Sequence, residues 1–178
     1  MNLFKDFKDW ADQNEGRIEI LAPTGKTTVI NRFKPGASKD KLKELYEYFS
    51  VALPPDYISF LQLCNGASLF EDPEYGGESL LYSAQDVIHY NEASDNKIVV
   101  ANILDDRILI DLERWSSGDE QYLLLCESLY SVEHTGSFYS NFETWLERFI
   151  ISQGEKFWYW KTERALKNKR NFLQLGCY

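Results

Sequence analysis

The chain has 178 residues, 44% of them apolar and 15% aromatic, with 28 acidic side chains against 19 basic ones and a net charge of −9. That apolar content excludes an intrinsically disordered chain, and the length suits a single domain with a sizeable core. An isoelectric point near 4.8 argues against direct nucleic-acid binding, since a polyanion is repelled by a body of its own sign.

Charge is distributed unevenly. Residues 1–43 hold nine Lys/Arg against six Asp/Glu, residues 44–153 hold four against twenty, and residues 154–178 hold six against two. An acidic middle between two basic ends favours a cationic partner, although acidity also serves solubility alone. No run of about 18 apolar residues is present, so no membrane-spanning helix is expected. Residues 1–10 lack the continuous apolar stretch and small-residue cleavage site of a signal peptide. Cys64, Cys126 and Cys177 form an odd, widely spaced set without a CxxC pair, which fits reduced thiols in the cytoplasm.

In chain order, residues 2–13 place Leu3, Phe4, Phe7, Trp10 and Ala11 on one helical stripe, and Gly16 ends the helix. Residues 17–21 and 27–33 read as a hairpin around Pro23-Thr24-Gly25. After Pro35-Gly36, Ser38 is a natural N-cap for a helix carrying Leu42, Leu45, Tyr46 and Phe49 at 3.6-residue spacing. Residues 53–70, LPPDYISFLQLCNGASLF, then form the stretch on which the rest depends. Pro55 suits a first helical position. Tyr57, Phe60, Leu61 and Cys64 form one apolar edge and Ile58 and Leu63 a second, so this short helix belongs in a core. Asn65-Gly66 stops it, and a strand starts at residue 68.

Residues 71–77 have turn chemistry and dense charge. A strand over 78–82 leads to Ser83, which with Asp86 makes a capping box for a helix over 84–91. Residues 97–103 and 107–112 read as a strand pair joined by Leu104-Asp105-Asp106, and 113–119 as a polar loop. Residues 121–126 and 129–133 read as a further pair around Glu127-Ser128. Such short connections require antiparallel neighbours. Residues 140–143 form a second capping box before a helix with Phe142, Trp145, Leu146, Phe149 and Ile150 on one face. Beyond Gly154, Phe157-Trp158-Tyr159-Trp160 is too apolar for water, and residues 163–173 fit a helix burying Leu166 and Leu173 with Phe172 at its edge. The expected fold is α+β: an antiparallel sheet of about five or six strands, packed by N-terminal helices and closed by a C-terminal one. Residues 1–37 form an N-terminal addition, 38–153 the core and 154–178 a packed extension.

Leu53-Pro54, Asp56-Tyr57, Phe60-Leu61 and Asn65-Gly66 resemble the signature of the SUKH superfamily, which includes Smi/Knr-type regulators of cell-wall synthesis and many bacterial immunity proteins. The resemblance runs from about residue 38 to residue 153. It implies that these eight motif residues hold the fold rather than touch a ligand. It further implies an intracellular immunity protein that binds a contact-delivered polymorphic toxin, a nuclease being one type, and blocks it stoichiometrically. A regulatory scaffold of the Smi/Knr type is the alternative.

Reactive chemistry is poorly represented. His89 and His134 are the two histidines, and HExxH, GxSxG and P-loop patterns are absent, so no catalytic residue, metal or cofactor is assigned. Cys126 reads as a buried structural thiol, with no cation beside it in sequence to activate it. A binding surface is better supported. Residues 66–96 hold seven acids and no Lys or Arg. The candidate partner-binding residues are Glu71, Asp72, Glu74 and Glu78 with Tyr75, then Asp105-Asp106, then Trp115 with Asp119-Glu120. Tyr and Trp in polar loops are typical interface anchors. The alternative for the same loops is that they cap sheet edges and keep the protein soluble.

Overall fold

Alternating and continuous apolar runs between residues 17 and 137 build one antiparallel sheet. In the computed structural model, which describes residues 1–22, 25–77 and 79–160, that sheet has eight strands in sequence order. They are β1 (Arg17–Ala22), β2 (Gly25–Phe33), β3 (Ala67–Glu71), β4 (Ser79–Leu81), β5 (Lys97–Ile103), β6 (Asp106–Asp111), β7 (Leu123–Cys126) and β8 (Gly136–Ser137). The helices are α1 (Asn2–Gln13), α2 (Lys39–Phe49), α3 (Pro55–Leu63), α4 (Ala84–Tyr90), α5 (Leu112–Ser116) and α6 (Phe142–Ile151), followed by a 3-10 turn at Phe157–Tyr159. The expected tail helix over 163–173, Cys177, Glu78 and the Pro23-Thr24 turn lie outside the described residues.

Most elements follow from local signals. Ser38 caps α2 through Lys41 N, and the Ser83–Asp86 capping box of α4 is present in both directions. The β5–β6 hairpin turns at Leu104 and Asp105, whose φ of 47° and 70° give the pair of left-handed residues that suits the twist of a two-residue hairpin. Three expectations are corrected. The strand opposite β7 is Gly136–Ser137, not 129–133, because residues 127–135 form a loop of local turns closed by Tyr130 N–H to Glu127 O and His134 N–H to Ser131 O. The polar loop over 113–119 contains α5, which Asp111 caps through Glu113 N and Arg114 N. The N-cap of α6 is Asn141, its side chain accepting from Thr144 N, with Ser140 buried one residue earlier.

The N-terminal elements share the sheet and core. β2 pairs with β3 through Arg32↔Ser68 and Phe33↔Ala67. Phe4 and Phe7 of α1 meet Phe33, Phe60 and Phe70 at ring distances of 5.2–6.1 Å. Trp145 lies parallel to Phe149 at 5.6 Å, and Trp158 packs on Phe138 edge-on at 5.5 Å. The main core thus fills one face of the sheet beneath α1, α3 and α6. On the other face, register-matched Val99, Leu109 and Leu124, with Cys126, form a separate small cluster.

Strand order fixes where the loops go. In a meander the β1–β2, β3–β4, β5–β6 and β7–β8 connections emerge at one end of the sheet. The β2–β3, β4–β5 and β6–β7 connections emerge at the other, and these carry α2, α3, α4 and α5. The molecule therefore has a bare-loop end and a helix end.

The core also stores an alkaline sensitivity. Burial pushes the phenol of Tyr57 far above its ordinary value, and burial with the Asp56 hydrogen bond does the same to Tyr122. Both phenols stay protonated in the folded chain while the unfolded chain ionises them near pH 10. Stability they contribute is complete below about pH 10 and falls above it by about 2.7 kcal/mol per pH unit for the two groups. Urea melts at pH 8, 10 and 11 should show most of the loss in the last interval. A flat profile to pH 11 contradicts it.

Candidate binding surface

The bare-loop end holds part of the predicted set. Asp72, Glu74 and Tyr75 sit in the β3–β4 loop and Asp105 in the β5–β6 turn, all exposed. Asp72 shapes its own loop, accepting Glu74 N–H and Tyr75 N–H at 2.8 and 2.9 Å. The Tyr75 and Glu74 amides hold its carboxyl below the usual carboxylate range, so the loop keeps its charge. Tyr75 is 84% exposed, and Leu104 beside Asp105 and Leu129 and Tyr130 in the β7–β8 loop are exposed as well. Negative charge and solvent-facing apolar side chains therefore share one end.

Other predicted residues lie elsewhere. Glu71 is buried, hydrogen-bonded to Ser68 and paired with Arg32 across the β2–β3 ladder. Asp106, 2% exposed, is a latch and not a surface charge. Its Oδ2 accepts from Trp158 Nε1 at 3.0 Å and Tyr159 Oη at 2.9 Å and faces Lys156 Nζ at 3.2 Å, while Oδ1 accepts Ser128 N–H. Trp115, Asp119 and Glu120 belong to the β6–β7 connection at the helix end. Trp115 is half-buried, donates to Ala52 O at 2.9 Å and packs on Tyr122. The acidic loops expected to act together are split between opposite ends of the sheet.

The eight motif residues are structural in specific ways. Leu53, Tyr57, Phe60 and Leu61 are core, and Pro54 precedes α3 as its N-cap. Asn65 accepts from Ala84 N and donates to Gln85, tying the end of α3 to the start of α4. Asp56 caps a helix that is remote in sequence. Its Oδ2 accepts Glu143 N–H at 3.0 Å and its Oδ1 accepts the Tyr122 hydroxyl, whose oxygen in turn accepts Phe142 N–H. With Asn141 accepting Thr144 N–H, the free amides of the first turn of α6 are satisfied. Asp56→Ala should cost about 2–3 kcal/mol, as a charged acceptor leaves two buried donors behind. A denaturant melt reads it, and a loss under about 0.5 kcal/mol contradicts the capping role.

A second surface was not anticipated. The sheet face opposite the main core carries Arg32, Ser68, Leu80, Asn102, Arg107 and Cys126 in one register row. Two grooves of about 580 and 400 Å³ run along it and share Tyr82 and Tyr90. Cys126, read from sequence as having no cation beside it, has Arg107 Nη2 at 3.0 Å. Period-two counting through β5–β7 was the available signal, hidden by the bulge at Val99/Ala101. Among the described residues there is no cluster of three or more His, Cys, Asp or Glu placed to hold a metal ion, and no helix long and apolar enough to cross a membrane.

An antiparallel meander with its main core on one face and bare loops at one end is an α+β fold. The chain belongs to the SMI1/KNR4 family (SUKH-1), whose model matches residues 36–148. It is similar to two uncharacterised Bacillus subtilis (strain 168) proteins: YobM, 34% identical over 83% of this chain and 84% of the relative, and YnaB, 29% identical over 71% and 85%.

Proposed function

We propose that the protein is an intracellular immunity protein that binds a contact-delivered bacterial toxin and blocks it stoichiometrically, without catalysis or cofactor. The observation that carries this reading is the bare-loop end, where the exposed acids Asp72, Glu74 and Asp105 share one end of the sheet with the exposed Tyr75 and Leu104, on two of its hairpins. A nuclease toxin presents a basic cleft for phosphate, and a negative surface can fill it. Charge complementarity then raises the association rate, up to about 10⁸–10⁹ M⁻¹s⁻¹ at low salt, while a buried aromatic anchor slows dissociation.

The test is co-expression with the toxin domain encoded beside the gene, scored by growth and by direct binding of the purified pair. Glu74→Lys combined with Tyr75→Ala alters only exposed side chains. It should weaken binding by about tenfold or more and flatten its salt dependence. Full protection and unchanged affinity in that variant remove the bare-loop end from the interface. Failure of the wild-type protein to protect removes the immunity reading itself.

A further inference from the structure

The Asp106 latch gathers apolar side chains that the fold leaves in water. Its carboxylate accepts from Ser128 N–H, Trp158 Nε1 and Tyr159 Oη, and Lys156 beside them donates to Leu104 O. Leu104, Leu129, Tyr130 and Trp160 each lie within two residues of one of these contacts, and all four are exposed, Leu129 by 93%. Large apolar side chains collected around one buried support mark an interaction surface.

Charge at this end is one-sided. Asp72, Glu74, Asp105 and Glu127 make no ion pair among the described residues, whereas Lys26 is held by Glu19 and Lys156 by Asp106. Arg107 meets Tyr130 O from the other face of the sheet.

The described chain ends at Trp160, within this patch. Residues 161–178 carry five Lys/Arg against one Glu, and the helix expected over 163–173 sets Leu166, Phe172 and Leu173 among Arg164, Lys167, Lys169 and Arg170. A helix of that length is about 16 Å long. Three strand spacings, from β6 to β3, are about 14 Å, so the segment is long enough to reach from the latch to the Tyr75 loop. A short tether gives it an effective concentration on the order of millimolar, at which weak surface contacts suffice.

We propose that residues 161–178 dock on this patch, their apolar side chains against Leu104, Leu129 and Trp160 and their basic ones against Asp105, Asp72 and Glu74. Docking there covers the surface assigned above to the toxin, so a cationic partner must displace the segment in order to bind. That consequence rests on the immunity reading, and the docking itself does not.

The test uses the full ¹⁵N-labelled chain with a nitroxide on Cys177, Cys64 and Cys126 being buried and Cys177→Ser serving as the blank. Amides of Tyr75, Asp105, Leu129 and Tyr130 should lose intensity relative to the reduced nitroxide, while those of α2 at the helix end keep theirs. Salt at about 1 M, where the Debye length is about 3 Å, should restore much of the loss. Arg164→Glu, Lys167→Glu, Lys169→Glu and Arg170→Glu combined should lower the docked population at least about tenfold, as four small surface contributions add. Leu129→Lys, which alters only an exposed side chain, should lower it at least about threefold. Broadening spread evenly over the molecule, confined to the Tyr82 and Tyr90 face, or unchanged by the charge reversals would overturn the proposal. So would broadening in a mixture of labelled ¹⁴N chain and unlabelled ¹⁵N chain, which assigns the contact to a second copy. A docked segment in a protein that gives no protection sinks the immunity reading alone, and protection without the broadening sinks the docking alone.

Discussion

Replacing Asp106 with Ala is expected to lower the melting temperature by about 8–15 °C, a loss of about 3–5 kcal/mol. The carboxylate is buried and serves four groups: Ser128 N–H, Trp158 Nε1–H, the Tyr159 hydroxyl and the Lys156 ammonium. Removing it leaves a buried indole donor with no acceptor and strips a partly buried cation of its carboxylate, and an unsatisfied buried donor costs far more than a hydrogen bond contributes. Asp106→Asn is only a partial rescue. With its oxygen turned to the three donors at the Oδ2 position, its NH₂ meets Ser128 N–H, donor against donor, and the charge opposite Lys156 is lost. The effect should also be local. Lys156 is held by Asp106 and by Leu104 O at 2.6 Å, so tryptic cleavage after Lys156 should speed up in the variant before global unfolding. A melting temperature within about 2 °C of wild type, or unchanged cleavage there, would mean that the latch contributes little.

Asp106 also shows where the sequence stops being informative. Its neighbour Asp105 is an exposed turn residue, and the two are indistinguishable as a pair of acids between two apolar runs. What separates them is hairpin geometry: two left-handed residues close the turn at Leu104 and Asp105, so the next residue is already in a strand with its side chain turned inward. The partners that make the inward position tolerable lie about fifty residues away. Of the aromatic run 157–160, Phe157 and Trp158 are buried as expected while Trp160 at its end is exposed, and the run gave no sign of the acid that receives its polar edges.

Helices were legible where period and cap agreed, as in α2 and α4, and in α1 from period alone. The sheet's antiparallel sense was legible from short connections. The strand count was not, because nothing local says that the hairpin over 17–33 joins the same sheet, as β2 does through β3, and β8 has two residues and carries too little pattern to register. Strand parity also decides where the loops stand. β4, β5 and β6 lie between the Tyr75 loop and the connection with Trp115, Asp119 and Glu120, an odd number that puts the two at opposite ends. The motif Asp56 is a similar case. An acid in the first turn of a helix reads as a favourable charge for that helix, whereas its Oδ2 accepts an amide of α6, 87 residues further on. Local signals determine elements well, and contacts across tens of residues determine what a polar side chain is for.

The motif glycine is where that local and long-range logic can be separated by experiment. Gly66 has φ +98°, and a Cβ placed on it would lie 2.9 Å from Ser83 N and 3.1 Å from Leu81 O, both backbone atoms. Those atoms are fixed by the β3–β4 ladder, where Ala67 pairs with Leu81, and by the Ser83 cap of α4. Gly118 has a similar φ of +87° but open space around it. Alanine at either position meets the left-handed backbone penalty of about 1–2 kcal/mol. Only Gly66→Ala must also push the chain after α3 away from the start of α4, for a total of about 3–4 kcal/mol. Thermal melts of the two variants should therefore differ by about 4–8 °C, with Gly66→Ala the lower. If they coincide, the glycine is there for its dihedral angle alone, and the close packing of the α3 exit on α4 contributes nothing to holding the scaffold together.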